Sequence, residues 1–423
     1  MSNQSVLILK GNIIHAISDS EWRLVSNGYI VCEDGKITDV FEYLPERYNG
    51  AKVEDYGDNI IIPGLVDLHL HAPQFASRGM GMDLELLPWL KKYAFTEEMK
   101  YADGEYAEKA YRAFCDALKH SPTTRASVYA TLHVPATEML MQMLEETGLV
   151  TYIGKVNMDR NSPERLVEST PDSIANTAAW IENALSRYTN TRPILTPRFV
   201  PSCSAELMAA LGDMSQRYQV PVQSHLSENR SEVEWVKALH PEHETYGDVY
   251  NQFGLFGQVP TIMAHCIHLT EREFDLMKSN GVYVAHCPQS NTNLSSGIAP
   301  VREMLNRGIH VGLGTDIAGG FSISVFRSIV EAIQASKLYA VLIDPDKERL
   351  KLSEAFYLAT KGGGSFWGKV GSFEPGYELD AVVIDDSDIN GMTELTLEQR
   401  LERIIHLSSD GQIKAKYVNG KAL

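Results

Sequence analysis

The chain has few cysteines and no long apolar segment. Its five cysteines are an odd number scattered without CxxC spacing, which argues against a disulfide framework and favours reduced thiols. No apolar run reaches the ~20 residues that a membrane-spanning helix needs. Residues 1–5 lack the charged-then-apolar layout of a secretory signal. We therefore expect a cytoplasmic protein without a membrane partner.

Positive charge is also scarce. The 423 residues include 38 Lys and Arg against 55 Asp and Glu, which gives a formal net charge of −17. Binding to nucleic acid or to an anionic membrane requires clustered Lys and Arg, so neither partner is expected. Neither a GxGxxG motif nor a Walker loop is present. A hydrophobic content of 44% predicts a large folded core, and a small-molecule substrate fits this composition best.

Both ends of the chain are rich in short segments of β-prone residues. Short β-prone pieces alternate with turns over residues 5–60, as in Gly28–Cys32 and Lys36–Phe41. The same texture returns in the last fifty residues, at Tyr377–Asp385 and Ile413–Lys421. This pattern predicts one small β-sandwich domain built from both termini, residues 1–64 and 371–423.

Between the termini, strand-like apolar runs alternate with helix-like stretches, which is typical of βα units and a parallel sheet. Eight such runs are centred on Val66, Val128, Ile153, Leu195, Val222, Met263, Val284 and Val311. Eight units in one block predict an α/β protein whose residues 65–370 form a (β/α)8 TIM barrel. In that fold, the catalytic residues lie at the carboxyl ends of the strands.

Five titratable residues follow these runs at positions where a strand would end. His69 and His71 are two residues apart, so in a strand their imidazoles point to the same side. His225, His265 and Asp316 each end a later run. An isolated His-x-His pair is equally compatible with two hydrogen-bonded strand histidines, but the common placement of all five residues predicts a metal site.

Other histidines and cysteines admit simpler interpretations. His286 also ends a strand-like run, yet nothing near it in the sequence needs a ligand, so we expect a structural role. Cys266 and Cys287 each follow a strand histidine and should point to the opposite face, as core thiols. His240-Pro241-Glu242 superficially matches the H-x-E of cytidine-type zinc deaminases, but the P-C-x-x-C thiolates are missing, and we interpret it as a solvated loop.

Several motifs together carry a resemblance that spans essentially the whole chain. They are Pro63–His71, Ser224–Glu228, Ala264–Cys266, Ala285–Pro288, Leu313–Asp316 and Gly371–Ala381. This set resembles the amidohydrolase superfamily, in the branch that deaminates heterocycles with one metal. Within that branch, His71–Phe75, Leu86–Leu90, Leu195–Phe199, His225–Arg230 and Gly314–Gly320 are most similar to the guanine deaminase family.

The resemblance implies one zinc ion per chain, held by His69, His71, His225 and Asp316, although three imidazoles and one carboxylate could also hold Fe(II). A two-metal site would need a bridging ligand, such as a carboxylated lysine, where this chain has Arg198 beside Pro197. The implied reaction is hydrolysis of guanine to xanthine and ammonia, in purine catabolism or salvage. A homodimer is also expected.

Residue roles follow from the same resemblance. Glu228 would protonate the ring nitrogen beside C2, and Asp316 would move the water proton to the departing ammonia. His265 would hydrogen-bond the attacking oxygen or the leaving amine, or else lie behind the site.

Guanine would be read by Gln74, Arg198 and Phe199, with His225 and Glu228 also in contact with it. An amide, a planar fork of donors and a stacking face together suit a purine. Trp89 and Phe95 could wall the pocket or simply pack. The alternatives are a deaminase or chlorohydrolase that acts on another heterocycle, such as a triazine, a pterin or an adenosine derivative, and a non-catalytic binding protein. Binding proteins of this superfamily usually lose metal ligands, and none is missing here.

Overall fold

The computed structural model describes residues 6–389 and 393–423. Seventeen strands lie in these ranges. They are β1 (Val6–Ala16), β2 (Trp22–Glu33), β3 (Lys36–Phe41), β4 (Val53–Pro63), β5 (Leu65–His71), β6 (Thr123–Tyr129), β7 (Val150–Gly154), β8 (Val156–Asn157), β9 (Thr191–Pro193), β10 (Thr196–Pro197), β11 (Val222–Leu226), β12 (Thr261–His265), β13 (Tyr283–His286), β14 (His310–Leu313), β15 (Ala381–Ile384), β16 (Ile413–Val418) and β17 (Lys421–Ala422).

Helices follow most of the central strands. Over the described ranges the α-helices are α1 (Leu86–Trp89), α2 (Phe95–Glu98), α3 (Gly104–His120), α4 (Val134–Thr147), α5 (Thr170–Arg187), α6 (Ala205–Tyr218), α7 (Arg230–Leu239), α8 (Tyr246–Gln252), α9 (Glu271–Asn280), α10 (Pro288–Asn293), α11 (Val301–Asn306), α12 (Val325–Leu342), α13 (Leu352–Tyr357) and α14 (Leu397–Leu407). Short 3-10 turns cover Glu46–Tyr48, Ala72–Ser77, Met99–Ala102, Glu164–Leu166, Val200–Ser202, Ser365–Trp367 and Asp410–Gln412, and π-helical turns cover Leu90–Ala94 and Leu358–Gly362. None of the described helices is both long and apolar enough to cross a membrane.

The strands from the two ends of the chain form one seven-stranded sheet, in the order β17-β16-β15-β4-β1-β2-β3. Strand β4 is central and pairs in parallel with β1 and antiparallel with β15. Its side chains alternate between two cores, as the period of a strand requires. Ile60 and Ile62 pack into the main core of the molecule, whereas Ile61 packs with Leu9 and Val383 in a separate small core.

The central strands form two four-stranded parallel sheets, β5-β6-β7-β9 and β11-β12-β13-β14, and a short pair β8-β10. Backbone hydrogen bonds link the two sheets at both sides. Gln223 N donates to Leu195 O at 2.9 Å, and Asp316 N donates to His69 O at 2.8 Å. A shared apolar cluster contains Val66 from the first sheet and Ile262 from the second. The parallel α/β organisation predicted from the sequence is therefore confirmed.

Seven of the eight predicted runs are centred inside observed strands. The eighth, at Leu195, lies between β9 and β10. Each of these two short strands ends at a proline, Pro193 and Pro197, and a proline cannot donate to a strand ladder.

Helix α14 interrupts the β-rich C-terminal region, and it buries Leu401, Ile404 and Ile405 at helical spacing.

A buried ion pair connects the terminal sheet with the central strands. Arg125, in β6, is 3% exposed and donates through Nε to Asp380 Oδ2 at 2.6 Å, just before β15. Its Nη2 also donates to Asn419 Oδ1 at 2.7 Å, after β16. Removing the arginine would leave the Asp380 carboxylate, which is 1% exposed, without its cation.

We expect Arg125→Ala to lower the free energy of unfolding by about 3–5 kcal/mol, as breaking a buried ion pair does. Chemical denaturation of the native and variant proteins measures this change. Arg192→Ala is the matched control, because Arg192 lies exposed in β9, and it should have little effect. Equal losses in the two variants would show that the Arg125–Asp380 pair does not stabilise the junction.

Candidate active site

Three imidazoles and one carboxylate converge where β5, β11 and β14 end. His69 Nε2 lies 3.1 Å and His71 Nε2 3.5 Å from Asp316 Oδ1. His225 Nε2 lies 3.3 Å from His71 Nε2. One ligand atom from each of the three histidines lies within 4.8 Å of the others. Gly314 permits this approach, because a Cβ there would lie 3.0 Å from His69 Cβ.

The surroundings of His71 and His225 favour their neutral forms. Burial lowers the pKa of His71 and His225 well below the usual value, and the adjacent His69 lowers both further. His225 Nδ1 lies 2.6 Å from the carbonyl oxygen of Arg198, to which it donates, so the Nε2 lone pair faces the other imidazoles. The buried nitrogen His71 Nδ1 has no hydrogen-bond partner among the described residues, and His69 Nε2 faces Asp316 Oδ1.

Asp316 supplies the negative charge of the group. Burial opposes its ionisation, but His69, His265 and a hydrogen bond with Ser290 together outweigh this effect, and the pKa falls to about 2. Neutral imidazole nitrogens that converge on an ionised carboxylate are the donor set that zinc prefers, so these residues fit the implied metal.

Asp67 holds strand β5 against the end of β14. This fully buried carboxylate accepts from Thr315 Oγ1 at 2.5 Å and from the Thr315 and His69 backbone amides. Burial raises its pKa to about 6. Our sequence analysis missed this residue, although an acidic residue inside the apolar run before His69 is a signal that could have identified it.

Tyr129 at the end of β6 was missed as well. Its ring lies 4.8 Å from that of His69, 4.5 Å from that of His71 and 5.0 Å from that of His225. The ring therefore limits the rotation of all three imidazoles. No sequence signal separates this tyrosine from an ordinary core residue.

Glu228 and His265 add a second carboxyl group and a fourth imidazole to the site. Glu228 Oε2 lies 3.5 Å from His265 Nε2, which in turn lies 3.8 Å from Asp316 Oδ2. His265 Nδ1 is fixed 2.8 Å from Asn291 Oδ1. Burial raises the pKa of Glu228 well above its usual value, and the buried carboxylate of Glu232 raises it further. A carboxyl group in this state can donate a proton near neutral pH.

Backbone conformation directs these side chains. Ser227, His265 and Asp316 have φ values of 50°, 70° and 47°, in the left-handed region that residues other than glycine seldom adopt. Each lies at or just after the end of a strand. Such conformations concentrate at functional sites, where the surrounding structure enforces them.

A pocket of about 430 Å³ opens beside the imidazoles. Its lining comprises His71, Gln74, Leu86, Trp89, Leu90, Arg198, Phe199, His225, Glu228, Glu232, His265, Leu294 and Asp316. All five residues predicted to bind substrate, Gln74, Arg198, Phe199, His225 and Glu228, belong to this lining. Trp89 lines the pocket too, whereas Phe95 does not and instead packs against the Arg198 guanidinium, 5.0 Å away.

A carboxylate that our sequence analysis missed lies behind two of these residues. Glu98 is 2% exposed and accepts from Gln74 Nε2 at 2.8 Å and from Arg198 Nη1 at 2.5 Å. Gln74 Oε1 accepts from Ala318 N at 3.1 Å. Glu98 has no distinctive sequence spacing relative to Gln74 or Arg198, since the three residues come from separate segments.

His286 and the two strand cysteines lie outside the pocket lining. His286 is buried against residues of α11 and α12, and burial lowers its pKa to about 3. Cys266 and Cys287 are buried free thiols. Cys287 Sγ lies within 4.8 Å of ring nitrogens of His69 and His265, and burial raises the pKa of its thiol well above the usual value.

One minor expectation holds only in part. Pro241 and Glu242 are exposed in a loop, but His240 is buried, with 6% of its surface exposed. Arg160 Nη2 lies 3.3 Å from His240 Nε2, and arginine can only donate. The proton of neutral His240 therefore lies on Nδ1 and faces Glu242. In this tautomer, Nδ1 has no free lone pair for a metal.

Comparisons with known proteins agree with this geometry. A model of the amidohydrolase family matches residues 60–423. The chain is 37% identical to guanine deaminase of Dictyostelium discoideum, over 100% of this chain and 99% of that protein. It is 34% identical to guanine deaminase of Escherichia coli K12, over 95% of this chain and 92% of that protein. A crystal structure of guanine deaminase from C. acetobutylicum with bound guanine superposes with a TM-score of 0.97 at 48% identity, covering 99% of this chain and 100% of that one.

Proposed function

The chain belongs to the amidohydrolase family, and from this membership we propose that it hydrolyses guanine to xanthine and ammonia in the pocket beside His69, His71, His225 and Asp316. One observation carries the proposal. The pocket that contains this metal-ligand group also contains a carboxylic acid, Glu228, and two side chains with fixed donors, Gln74 and Arg198. The enzyme is thus a hydrolase of C–N bonds in a cyclic amidine.

Zinc would be held by His69, His71, His225 and Asp316, one ion per chain. When bound, zinc would lower the pKa of a water molecule to about 7, so that hydroxide would be available at neutral pH. The pKa shifts favour the protonation states that this role needs, because burial lowers the pKa of His71 and His225 and the pKa of Asp316 lies at about 2.

The remaining steps are proton movements by the chain's own residues. Water adds to C2 of guanine while protonated Glu228 donates to the adjacent ring nitrogen, so no charge accumulates on the ring. Asp316 accepts one proton of the attacking water and passes it to the exocyclic amine, which then leaves as ammonia. The second proton of that water returns to Glu228 as the C2 carbonyl of xanthine forms, so both carboxyl groups regain their starting states. His265 lies between Glu228 and Asp316, where its Nε2 can hydrogen-bond the attacking oxygen or the leaving amine.

Recognition of the ring falls to Arg198, Gln74 and Phe199. Arg198 offers donors to the O6 and N7 acceptors of guanine, and Phe199 offers a stacking face. The Phe199 ring is itself braced edge-on by Trp235, 6.1 Å away. His225 contributes the metal-facing wall of the pocket.

The direct test is incubation of the purified enzyme with guanine, with ammonia measured enzymatically and the purine product separated by chromatography. Stoichiometric xanthine and ammonia are expected. A panel containing adenine, a pterin and an aminotriazine is run in parallel. Faster turnover of any of these, or no turnover of guanine, would refute the assignment of guanine as the substrate.

The metal content provides an independent prediction. We expect about one zinc ion per chain by elemental analysis of the native enzyme, because the site has one set of four ligands. Chelation should abolish turnover, and zinc should restore it. His286→Asn is a suitable control that should keep the metal, since His286 lies outside the pocket. Two ions per chain at full occupancy would contradict the one-metal mechanism.

The finer organisation is part of the same proposal. The hydrogen bonds that link the two parallel sheets support closure of residues 65–370 into a (β/α)8 barrel. Residues 1–64 and 371–423 would form the β-sandwich domain, supported by a seven-stranded sheet drawn from both termini. We further propose a cytoplasmic homodimer, which light scattering of the purified protein tests.

A further inference from the structure

The carboxylate of Glu98 touches two residues of the pocket lining at once while remaining outside that lining. It accepts one hydrogen bond from Gln74 and one from Arg198, through different oxygens. Both of its contacts are buried, with Gln74 2% and Arg198 3% exposed. Charged hydrogen bonds in such surroundings are strong and directional, so they restrict both side chains to one orientation.

The local sequence explains why Glu98, and not its neighbour Glu97, contacts Arg198. Phe95 and Glu98 are three residues apart in α2 and therefore share a helix face. That face contacts Arg198, with the Phe95 ring over the guanidinium and the carboxylate at Nη1. Glu97 points elsewhere and pairs with Lys100 at 2.6 Å and with the Tyr106 hydroxyl.

The contacts of Gln74 leave its amide with no freedom to flip. Its Nε2 donates to Glu98, and its Oε1 accepts from the backbone amide of Ala318. A flipped amide would direct its NH2 group at the Ala318 N–H and its oxygen at the carboxylate. One N–H and one oxygen lone pair of Gln74 therefore remain for a ligand. Their positions are fixed, with the N–H on the Glu98 side and the oxygen on the Ala318 side.

Charge leads to the same conclusion. Arg198 alone would favour an anionic ligand, but the buried Glu98 carboxylate cancels its charge. The remaining guanidinium donors then read acceptors on an uncharged ring. We propose that Glu98 is a positioning residue that sets the donor pattern for a neutral purine edge through Arg198 and Gln74. This inference rests on the proposed function.

Glu98→Gln tests the proposal with little change of shape. The variant amide still offers oxygen to Gln74, but its NH2 group faces Arg198 in place of the carboxylate. The KM for guanine is expected to rise about 10- to 100-fold, the loss typical of one charged hydrogen bond, with kcat and zinc content close to native. Glu97→Gln is the matched control, from which we expect a native KM even if stability falls.

A double-mutant cycle separates positioning from general structural support. Once Arg198→Ala has removed the partner, adding Glu98→Gln should change kcat/KM by no more than about twofold. Additive losses, a raised KM in Glu97→Gln, or loss of zinc or kcat in place of the KM effect would each overturn the proposal. Native turnover of guanine is measured first, so an inactive native enzyme would refute the proposed function and not the role of Glu98.

Discussion

Glu228→Gln is expected to lower kcat for guanine by about 10²–10⁴-fold, the usual contribution of a general acid. The variant keeps the shape of the side chain and its contact with Ser296 but cannot donate a carboxylic proton. Zinc content should persist, because Glu228 is not among the four metal ligands. Binding of xanthine should persist because the amide keeps the shape of the side chain that lines the pocket. Steady-state kinetics, elemental analysis and calorimetric titration with xanthine measure the three properties.

The matched control for this substitution is Glu234→Gln, on the solvent side of the same helix α7. It should retain native kcat. Turnover of Glu228→Gln within about tenfold of native would assign the acid role to another group. Loss of zinc in the variant would show that Glu228 supports the metal site instead.

The pH dependence of kcat/KM provides a second test of Glu228 as the general acid. A general acid works only when protonated, so activity is retained below its pKa and lost as the pH rises through it. Burial and Glu232 raise the pKa of Glu228, which moves this loss toward higher pH. We therefore expect kcat/KM of the native enzyme to decline on the alkaline side, and this decline should be absent from the residual activity of Glu228→Gln.

The sequence predicted the positions of these residues along the chain better than their contacts. Strand periodicity predicted that His69, His71, His225, His265 and Asp316 follow strands, and parallel strands bring such ends to one edge. Spacing could not reveal that Asp67, inside the apolar run, bonds to Thr315. That contact depends on how β5 and β14 come together, which is information that neither segment contains alone.

Glu98 and Tyr129 are two further residues of the candidate site whose contacts could not be predicted from sequence spacing. Each is an ordinary residue type on an ordinary element, and only the packing of distant segments gives it partners in the pocket. Helix α14, by contrast, had a readable signal, since Leu401, Ile404 and Ile405 repeat at helical spacing. It was overlooked because the strands on either side of it dominate that region.

Arg198→Ala is the substitution from which we expect the largest loss of specificity. Deleting the guanidinium removes the donors for O6 and N7 and also leaves the buried Glu98 carboxylate without its cation. The first effect should cost about 1–3 kcal/mol in transition-state binding, and the second should destabilise the fold by about 3–5 kcal/mol. Both kcat/KM for guanine and the free energy of unfolding should therefore fall.

Arg198→Lys separates these two effects. A lysine ammonium can keep a charge beside Glu98, but it lacks the planar fork that reads two acceptors together. We expect this variant to retain most of the stability and to lose guanine activity nearly as far as Arg198→Ala. If stability and kcat/KM fell in parallel in both variants, the effect would be one of folding and not of recognition.

Adenine provides the test of discrimination. It carries an amine where guanine carries O6, so a donor at Arg198 meets another donor and rejects it. The native enzyme should deaminate guanine far faster than adenine, and Arg198→Ala should narrow this ratio mainly by losing guanine activity. Ammonia release measured on both purines, for the native and variant enzymes, gives the ratio directly. Efficient native turnover of adenine, or an unchanged ratio in the variant, would mean that the purine edge is read by other groups, since nothing would then depend on the Arg198 donors.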